Sequence, residues 1–426
     1  MLPAFILLAF LAMSDTRPLH IALVAGEPSG DALGEGLMRA LRATSKGGLR
    51  FSGLGGERMA SEGFASLFPI DELAVMGLVE VLPRARQILR RLDQLAASLR
   101  ADPPDVLVTI DSPGFTHRLA KRLAKRNFPI VHYVAPTVWA WRPGRAKTLA
   151  GLVDHLLALL PFEPPYFEKE GLPSTFVGHP AVETITAARQ LMRDEAAAGK
   201  EFRRRYDIPP EAPLLALLPG SRRGEVAKLL PIFAATLARL AVRRPDLRVV
   251  IPTVPGVATM VLNTLPNLAL TAQVVSAPAE RYQAMLAADL ALAASGTATL
   301  ELGLAETPTV LAYRVNPITA AILRKLLRVP YAGLVNLLEG REVMPEFLQE
   351  RCKPDALAEA LDLLIHDDAA RTAQLDACRR VGAQLGMGLS PSPSERAAEA
   401  VLRVAAGAPN LLKAPQKSLP DQRNPT

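Results

Sequence analysis

LLPGSRRGE (217–225) and AASGTATLE (293–301) decide how this chain is read. Each begins in a short apolar run, turns through glycine and serine, and opens a segment with a helical pattern. Backbone N–H groups, hydroxyls and, in the first stretch, arginines therefore fall at the carboxyl end of a strand. Helix amino termini carry unpaired N–H groups and the positive end of the helix dipole, so such turns hold phosphate. Open α/β sheets bind their ligands at this end of the strands. Two such turns in one half of the chain predict a nucleotide gripped from two sides, by Ser221 and Arg222 on one and by Ser295, Gly296, Thr297 and Thr299 on the other. Arg222 would neutralise a diphosphate, a task that needs no metal. Glu301 is placed either to accept from ribose hydroxyls or as a plain helix-surface carboxylate. A solvated arginine pair capping an ordinary turn is the competing reading of 220–223.

Outward from these turns, apolar runs alternate with helix-length segments along the whole chain. Strands are predicted over 20–25, 106–110, 130–134, 155–160 and 175–177, and again over 214–218, 248–251, 290–294 and 309–313. Their near-continuous hydrophobicity suits parallel sheets covered on both faces. Helices are expected over 31–44, 85–100, 116–126 and 145–152, then 226–242, 280–287, 297–304 and 355–365. This is βαβαβ written twice, an α/β chain of two doubly wound Rossmann-like domains facing across a cleft. The expected divisions are 14–200 for the first domain and 201–390 for the second. A last amphipathic helix, a C-terminal crossing helix, follows at 391–406, and 407–426 reads as a proline-rich, polar, disordered tail. Residues 1–13 hold an apolar run too short to span a bilayer. They read as a mis-assigned start, with translation beginning at Met13, or as an interfacial anchor.

The composition narrows the partners. The 426 residues are 49% hydrophobic and 21% charged, as in a globular protein of more than one domain. A net charge of +7 suits phosphorylated ligands, anionic lipid or nucleic acid, but 5% aromatic content gives little for bases to stack on. No nucleic-acid partner is expected. Cys352 and Cys378 form no disulfide framework, which fits a reducing cytoplasm, and His and Cys show no metal-ligand spacing.

Other stretches carry chemistry in the first half. AGEPSGD (25–31) turns from the first strand into the first helix, offering Gly26, Glu27, Ser29 and Gly30 to a ligand, with Ser29 or Asp31 as a helix cap. A purely structural turn is the alternative. Asp111 follows a strand and precedes Ser112-Pro113-Gly114, where a carboxylate can act as general base toward a hydroxyl or cap the next helix. Trp139 and Trp141 sit after another strand, as ligand platform or as core. His179 stands near the domain boundary as hinge or catalyst. The apolar stretch 64–82, with Val75, Met76, Leu78, Val79 and Leu82, is followed by Arg84, Arg86, Arg90 and Arg91. It suits acyl chains and an anionic membrane, or an ordinary core helix with a basic flank.

Nine blocks then fall in one order: AGEPSGD (25–31), DELAVMGLVEVLPR (71–84), IDSPGF (110–115), YVAPTVWAWRPGR (133–145), LPFEPPYF (160–167), VGHP (177–180), LLPGSRRGEV (217–226), ASGTATLE (294–301) and NLLEGREVMPEFLQE (336–350). Together they resemble the lipid-A-disaccharide synthase family, from about residue 18 to 405. The resemblance implies an inverting, metal-independent glycosyltransferase of the GT-B fold that needs no cofactor. It would join UDP-2,3-diacylglucosamine to 2,3-diacylglucosamine 1-phosphate, lipid X, through a β-1′,6 bond, with UDP leaving. It implies Asp111 as the base for the acceptor's 6-hydroxyl and Arg222 as the diphosphate partner. Thr297, Glu301, Asn336 and Arg341 fall in its nucleotide-side motifs. The stretch 75–82 matches its region for acyl chains and the membrane, which implies a cytoplasmic protein peripheral to the inner membrane. Family members include homodimers with exchanged C-terminal segments. One departure is Gly114, where the family often has a second acid, as in DxPDF. Another UDP-N-acetylglucosamine transferase of the same fold, such as the peptidoglycan one, and a UDP-sugar 2-epimerase are the alternatives.

Overall fold

A computed structural model of the chain describes residues 17–45, 47–73, 78–194 and 198–407. These fall into two compact units, one of residues up to 138 with 143–177 and 394 onward, the other of 139–142 and 178–393.

The first unit is a six-stranded parallel sheet of β1 (Leu19–Ala25), β2 (Leu49–Leu54), β3 (Val106–Ile110), β4 (Ile130–Tyr133), β5 (His155–Ala158) and β6 (Ser174–Phe176). Its order is β2-β1-β3-β4-β5-β6, so the winding reverses between β1 and β3. One face is covered by the helix Leu78–Ala101, through Leu92, Leu95 and Leu99, together with Leu119 and Phe167. The other is covered by Leu37, Met38 and Leu41 of the helix Pro28–Thr44 and by Val401 and Leu402 of the last helix, Pro393–Ala405.

The second unit repeats the plan with β7 (Leu214–Leu218), β8 (Arg248–Pro252), β9 (Ala272–Val275), β10 (Leu290–Ala294), β11 (Thr309–Tyr313) and β12 (Glu346–Leu348). Its order, β12-β11-β10-β7-β8-β9, reverses between β7 and β10. β7 and β10 are buried along their whole length, as central parallel strands must be. In both units the crevice at the reversal point opens at the carboxyl ends of the two flanking strands. AGEPSGD and Asp111 follow β1 and β3; LLPGSRRGE and AASGTATLE run out of β7 and β10.

One expected boundary moves. The division falls at Gly178 rather than near residue 200. The helices Ala181–Asp194 and Ala198–Arg205 belong with the second unit, where Arg189 donates to the Leu304 carbonyl and to Glu306, both at 2.8 Å. The helix Pro393–Ala405 packs its apolar side into the first unit's core. Val75 and Met76 lie outside the described residues, as do 1–13 and 408–426. Leu78, Val79 and Leu82 fall on the helix Leu78–Ala101, but their side chains are likewise outside the description. Among the described residues no helix is long and apolar enough to cross a membrane.

Candidate active site

The crevice of the first unit is tight. Gly26 is buried, and a Cβ there would stand 2.6 Å from the Ser112 Oγ, so only glycine lets the loop after β1 lie against the loop after β3. Gly30, one turn on, is buried against Ile110. Both glycines thus have packing reasons of their own. Glu27 and Ser29 are exposed at the start of the helix Pro28–Thr44, and no side chain caps it. Asp31 does not serve as that cap either. Its buried carboxylate accepts from the N–H groups of Gly56, Arg58 and Met59 at 2.7, 3.0 and 3.1 Å, fixing the start of the next short helix.

Asp111 and Ser112 both adopt left-handed backbone, with φ of 47° and 45°, and Val134 at the end of β4 has φ of 84°. Such conformations cost about 1–3 kcal/mol each and persist only where the surroundings hold them. Here the Asp111 N–H donates to the Tyr133 carbonyl at 2.9 Å, and the buried Thr116 hydroxyl stands 2.9 and 3.0 Å from the carbonyls of Asp111 and Ser112. The following helix, Pro113–Arg122, starts at Ser112 without any side-chain cap, so the Asp111 carboxylate is not spent there. Burial raises its pKa, opposed by the Ser112 N–H. Buried imidazoles in both units are held neutral. Burial brings His132 down to about 3 and His117 to about 4, with His132 Nδ1 set 2.8 Å from the Thr109 hydroxyl. His179 is lowered to about 4 by burial, and its Nδ1 accepts from the Ala181 N–H at 3.2 Å. Arg142 lies over the Trp141 ring at 4.4 Å.

In the second unit the loop after β7 is open and cationic. Gly220 has φ of +117°, and a Cβ there would meet Glu225 at 2.9 Å. Glu225 accepts from the Arg222 Nη1 at 2.9 Å, and its carboxylate also lies 3.3 Å from the Arg222 N–H and from the Tyr313 hydroxyl. One edge of the Arg222 guanidinium is therefore fixed while its side chain stays 71% exposed, beside exposed Ser221. After β10, Gly296 and Thr297 are exposed at the start of the helix Thr297–Leu304, and the Ser295 hydroxyl donates to the Ala332 carbonyl at 3.2 Å. Thr299 is fully buried and donates to the Gly296 carbonyl at 2.8 Å, so its side chain serves the turn rather than a ligand.

Glu301 is no plain surface carboxylate. Its side chain is 12% exposed, the Tyr282 hydroxyl stands 3.3 Å away, and Arg281 lies 3.6 Å away while itself donating to Tyr282 at 2.8 Å. Burial raises its pKa, with Arg281 and then Tyr282 opposing. Asn336 departs from expectation. It is wholly buried, and its amide donates to the Met344 carbonyl and Glu346 and accepts from the Val343 and Met344 N–H groups, all at 2.8 Å. That exhausts an amide's bonding capacity, so Asn336 holds its own loop and has nothing left for a nucleotide. Arg341 is exposed, 3.6 Å from Glu339. Among the described residues no three His, Cys, Asp or Glu side chains gather as a metal-holding group.

The sequence pattern of the Lipid-A-disaccharide synthetase family matches residues 21–401. The chain belongs to the lipid-A-disaccharide synthetase family. The lipid-A-disaccharide synthase of Rhodospirillum centenum is 52% identical over 390 residues, covering 91% of this chain and 95% of the relative. That of Paramagnetospirillum magneticum is 50% identical over 386 residues, covering 90% and 96%. Among solved structures, MurG of Acinetobacter baumannii superposes with a TM-score of 0.54 at 14% identity, over 91% of this chain and 100% of that one. The UDP-GlcNAc 2-epimerase of Neisseria meningitidis gives 0.59 at 11% identity, over 87% and 99%. Identities this low show the fold alone, which is two-domain GT-B. The chain is a glycosyltransferase of lipid A biosynthesis, and membership of the synthetase family sets aside the two alternatives of other specificity.

Several contacts around these candidate residues were not anticipated: Thr116 beneath Asp111, Glu225 and Tyr313 behind Arg222, and Arg281 and Tyr282 behind Glu301. Glu225 had a signal. A glutamate three residues into a helix, reaching back to the backbone N–H before it, is the acidic half of a capping box. Tyr282 and Tyr313 lie 19 and 88 positions from the carboxylates they meet and carry no local mark.

Proposed function

We propose that this glycosyltransferase condenses UDP-2,3-diacylglucosamine with 2,3-diacylglucosamine 1-phosphate, releasing UDP with inversion at the donor's anomeric carbon. Asp111 takes the proton of the acceptor's 6-hydroxyl. The hydroxyl oxygen attacks C1 of the donor sugar, and the bond from C1 to the diphosphate breaks with its electron pair leaving on UDP. Arg222, beside Ser221 and the amino ends of the helices Arg223–Arg243 and Thr297–Leu304, neutralises the departing diphosphate. Glu301 accepts from the ribose hydroxyls. Substrate acyl chains meet the protein around 75–82, at the inner-membrane surface, and the protein works as a homodimer without metal or cofactor.

The observation that carries this reading is Asp111. It is a half-buried carboxylate at the reversal point of its sheet, held in strained backbone, raised in pKa and unused as a helix cap. A raised pKa makes a carboxylate a stronger base. The test incubates purified protein with both substrates and EDTA, beside Asp111→Ala, with products read by mass spectrometry. A tetra-acyl disaccharide 1-phosphate formed by the wild type and absent with the variant supports the reaction and the base. Product formed equally by Asp111→Ala removes Asp111 from the mechanism. No product from wild-type protein that still binds the donor moves the question to another acceptor.

A further inference from the structure

We propose that the helix Pro317–Leu326, in the second unit, is a membrane-seating element that lies on an anionic lipid surface. It is separate from the stretch 75–82 and rests on the membrane-peripheral reading above. The helix follows β11, at the end of the sheet where the loops after β7 and β10 also emerge. Ala320 is its one buried residue. Ile318, Ile322 and Leu326 are 73%, 53% and 46% exposed, and Leu327 just beyond is 44% exposed. Spacing of four residues puts the first three in one stripe, and at 100° per residue that stripe faces away from Ala320. Other large exposed apolar side chains among the described residues, such as Val242, Leu262 and Leu363, come singly on their own helices. Scattered apolar residues are normal on a protein surface; a stripe is not.

Charge selects the occupant. From Arg314 to Leu338 the sequence has four cationic residues, Arg314, Arg324, Lys325 and Arg328, and no acidic one. Arg324 is engaged by Glu350 at 2.7 Å, whereas Lys325 and Arg328 make no ion pair among the described residues. An anionic bilayer answers both properties: isoleucine and leucine tips enter the acyl boundary while lysine and arginine heads stay at the phosphates. A second copy of the chain answers only one. A twofold interface would set this cationic segment against or near itself.

The test uses the full chain and sedimentation with vesicles of phosphatidylethanolamine and phosphatidylglycerol, against phosphatidylcholine alone. Ile318→Glu with Ile322→Glu should lower partition onto the anionic vesicles by about tenfold or more. Lys325→Ala with Arg328→Ala should lower it by about tenfold at low salt, with the difference fading at high salt. Both variants should transfer sugar at the wild-type rate when substrates are dispersed in detergent. Wild-type partition by both variants overturns the proposal. So does a fall in the mass measured by light scattering in the isoleucine variant with vesicle binding intact, which would make the stripe a contact between copies. Failure of the wild type to transfer sugar even in detergent would count against the proposed reaction, and the vesicle result would be read separately.

Discussion

The two reversal-point crevices share a topology and differ in nearly everything else. After β1 and β3 the loops press together without room for one methyl group, the backbone is forced into left-handed conformations, and the key carboxylate is partly withdrawn from water. After β7 and β10 the turns are open, Ser221, Arg222 and Thr297 are exposed, and the half-buried carboxylates Glu225 and Glu301 are each engaged by an arginine. The contrast follows from the two jobs proposed. A base must hold one oxygen at hydrogen-bonding distance from one hydroxyl, so rigidity and desolvation serve it. A diphosphate is a diffuse double charge, and a partly anchored guanidinium with helix amino ends can follow it as it departs.

Substitutions break or sharpen this contrast in decreasing order of effect. Asp111→Asn should lower kcat by between about a hundredfold and ten-thousandfold. Because burial raises the Asp111 pKa and only the ionised form is a base, activity is present above that pKa and lost as pH falls through it. The acid limb of kcat/KM should therefore lie above the ordinary aspartate value of about 3.9. The same raised pKa means that the charge opposes folding once pH exceeds the unfolded value. Thermal melting at neutral pH should then find Asp111→Asn as stable as the wild type or more so; a fall in Tm would mean that the tight crevice needs this charge.

Arg222→Ala should cost about a hundredfold to a thousandfold in turnover with Tm unchanged. Glu225→Gln, which loosens rather than removes the guanidinium, should show a smaller loss in the same steady-state assay; equal losses would make the second crevice as rigid as the first. Asn336→Ala should act on stability, by about 1–3 kcal/mol in denaturant unfolding, because it leaves buried N–H groups and Glu346 short of partners. Its KM for the nucleotide sugar should hold, and a raised KM with normal stability would return Asn336 to the ligand. The smallest effect belongs to Gly114→Asp. A Cβ there meets nothing within 4 Å, and an acid in the first turn of the helix Pro113–Arg122 suits its dipole. Tm should rise slightly and activity stay near the wild type; a large change in rate would show that a second acid matters in the tight crevice.

What was legible follows the same physics. β3, β7, β10 and β11 lie where their apolar runs placed them, because a strand buried on both faces has little choice of composition. The strands β2, β9 and β12 carried no such mark. They are sheet edges, with half-exposed residues such as Arg50 and Gln273 inside them. Asp111 was visible as an acid ending an apolar run. Asn336 was visible only as an identity within a distinctive block, which cannot tell a ligand-facing amide from one that staples its own loop. The contact of Tyr313 with Glu225 spans 88 positions, and no window of local pattern reaches that far.

The first unit is assembled from two ends of the chain, and this sets an order on its birth. While the ribosome is still making the second unit, the face of the β1–β6 sheet that the helix Pro28–Thr44 covers in part still lacks Ala397, Ala398, Val401 and Leu402. The second unit, apart from residues 139–142, is one unbroken stretch and is complete before that face is closed. A nascent chain of this protein therefore carries a half-covered apolar sheet face until the helix Pro393–Ala405 is released, and termination before that helix leaves the face half-covered for good.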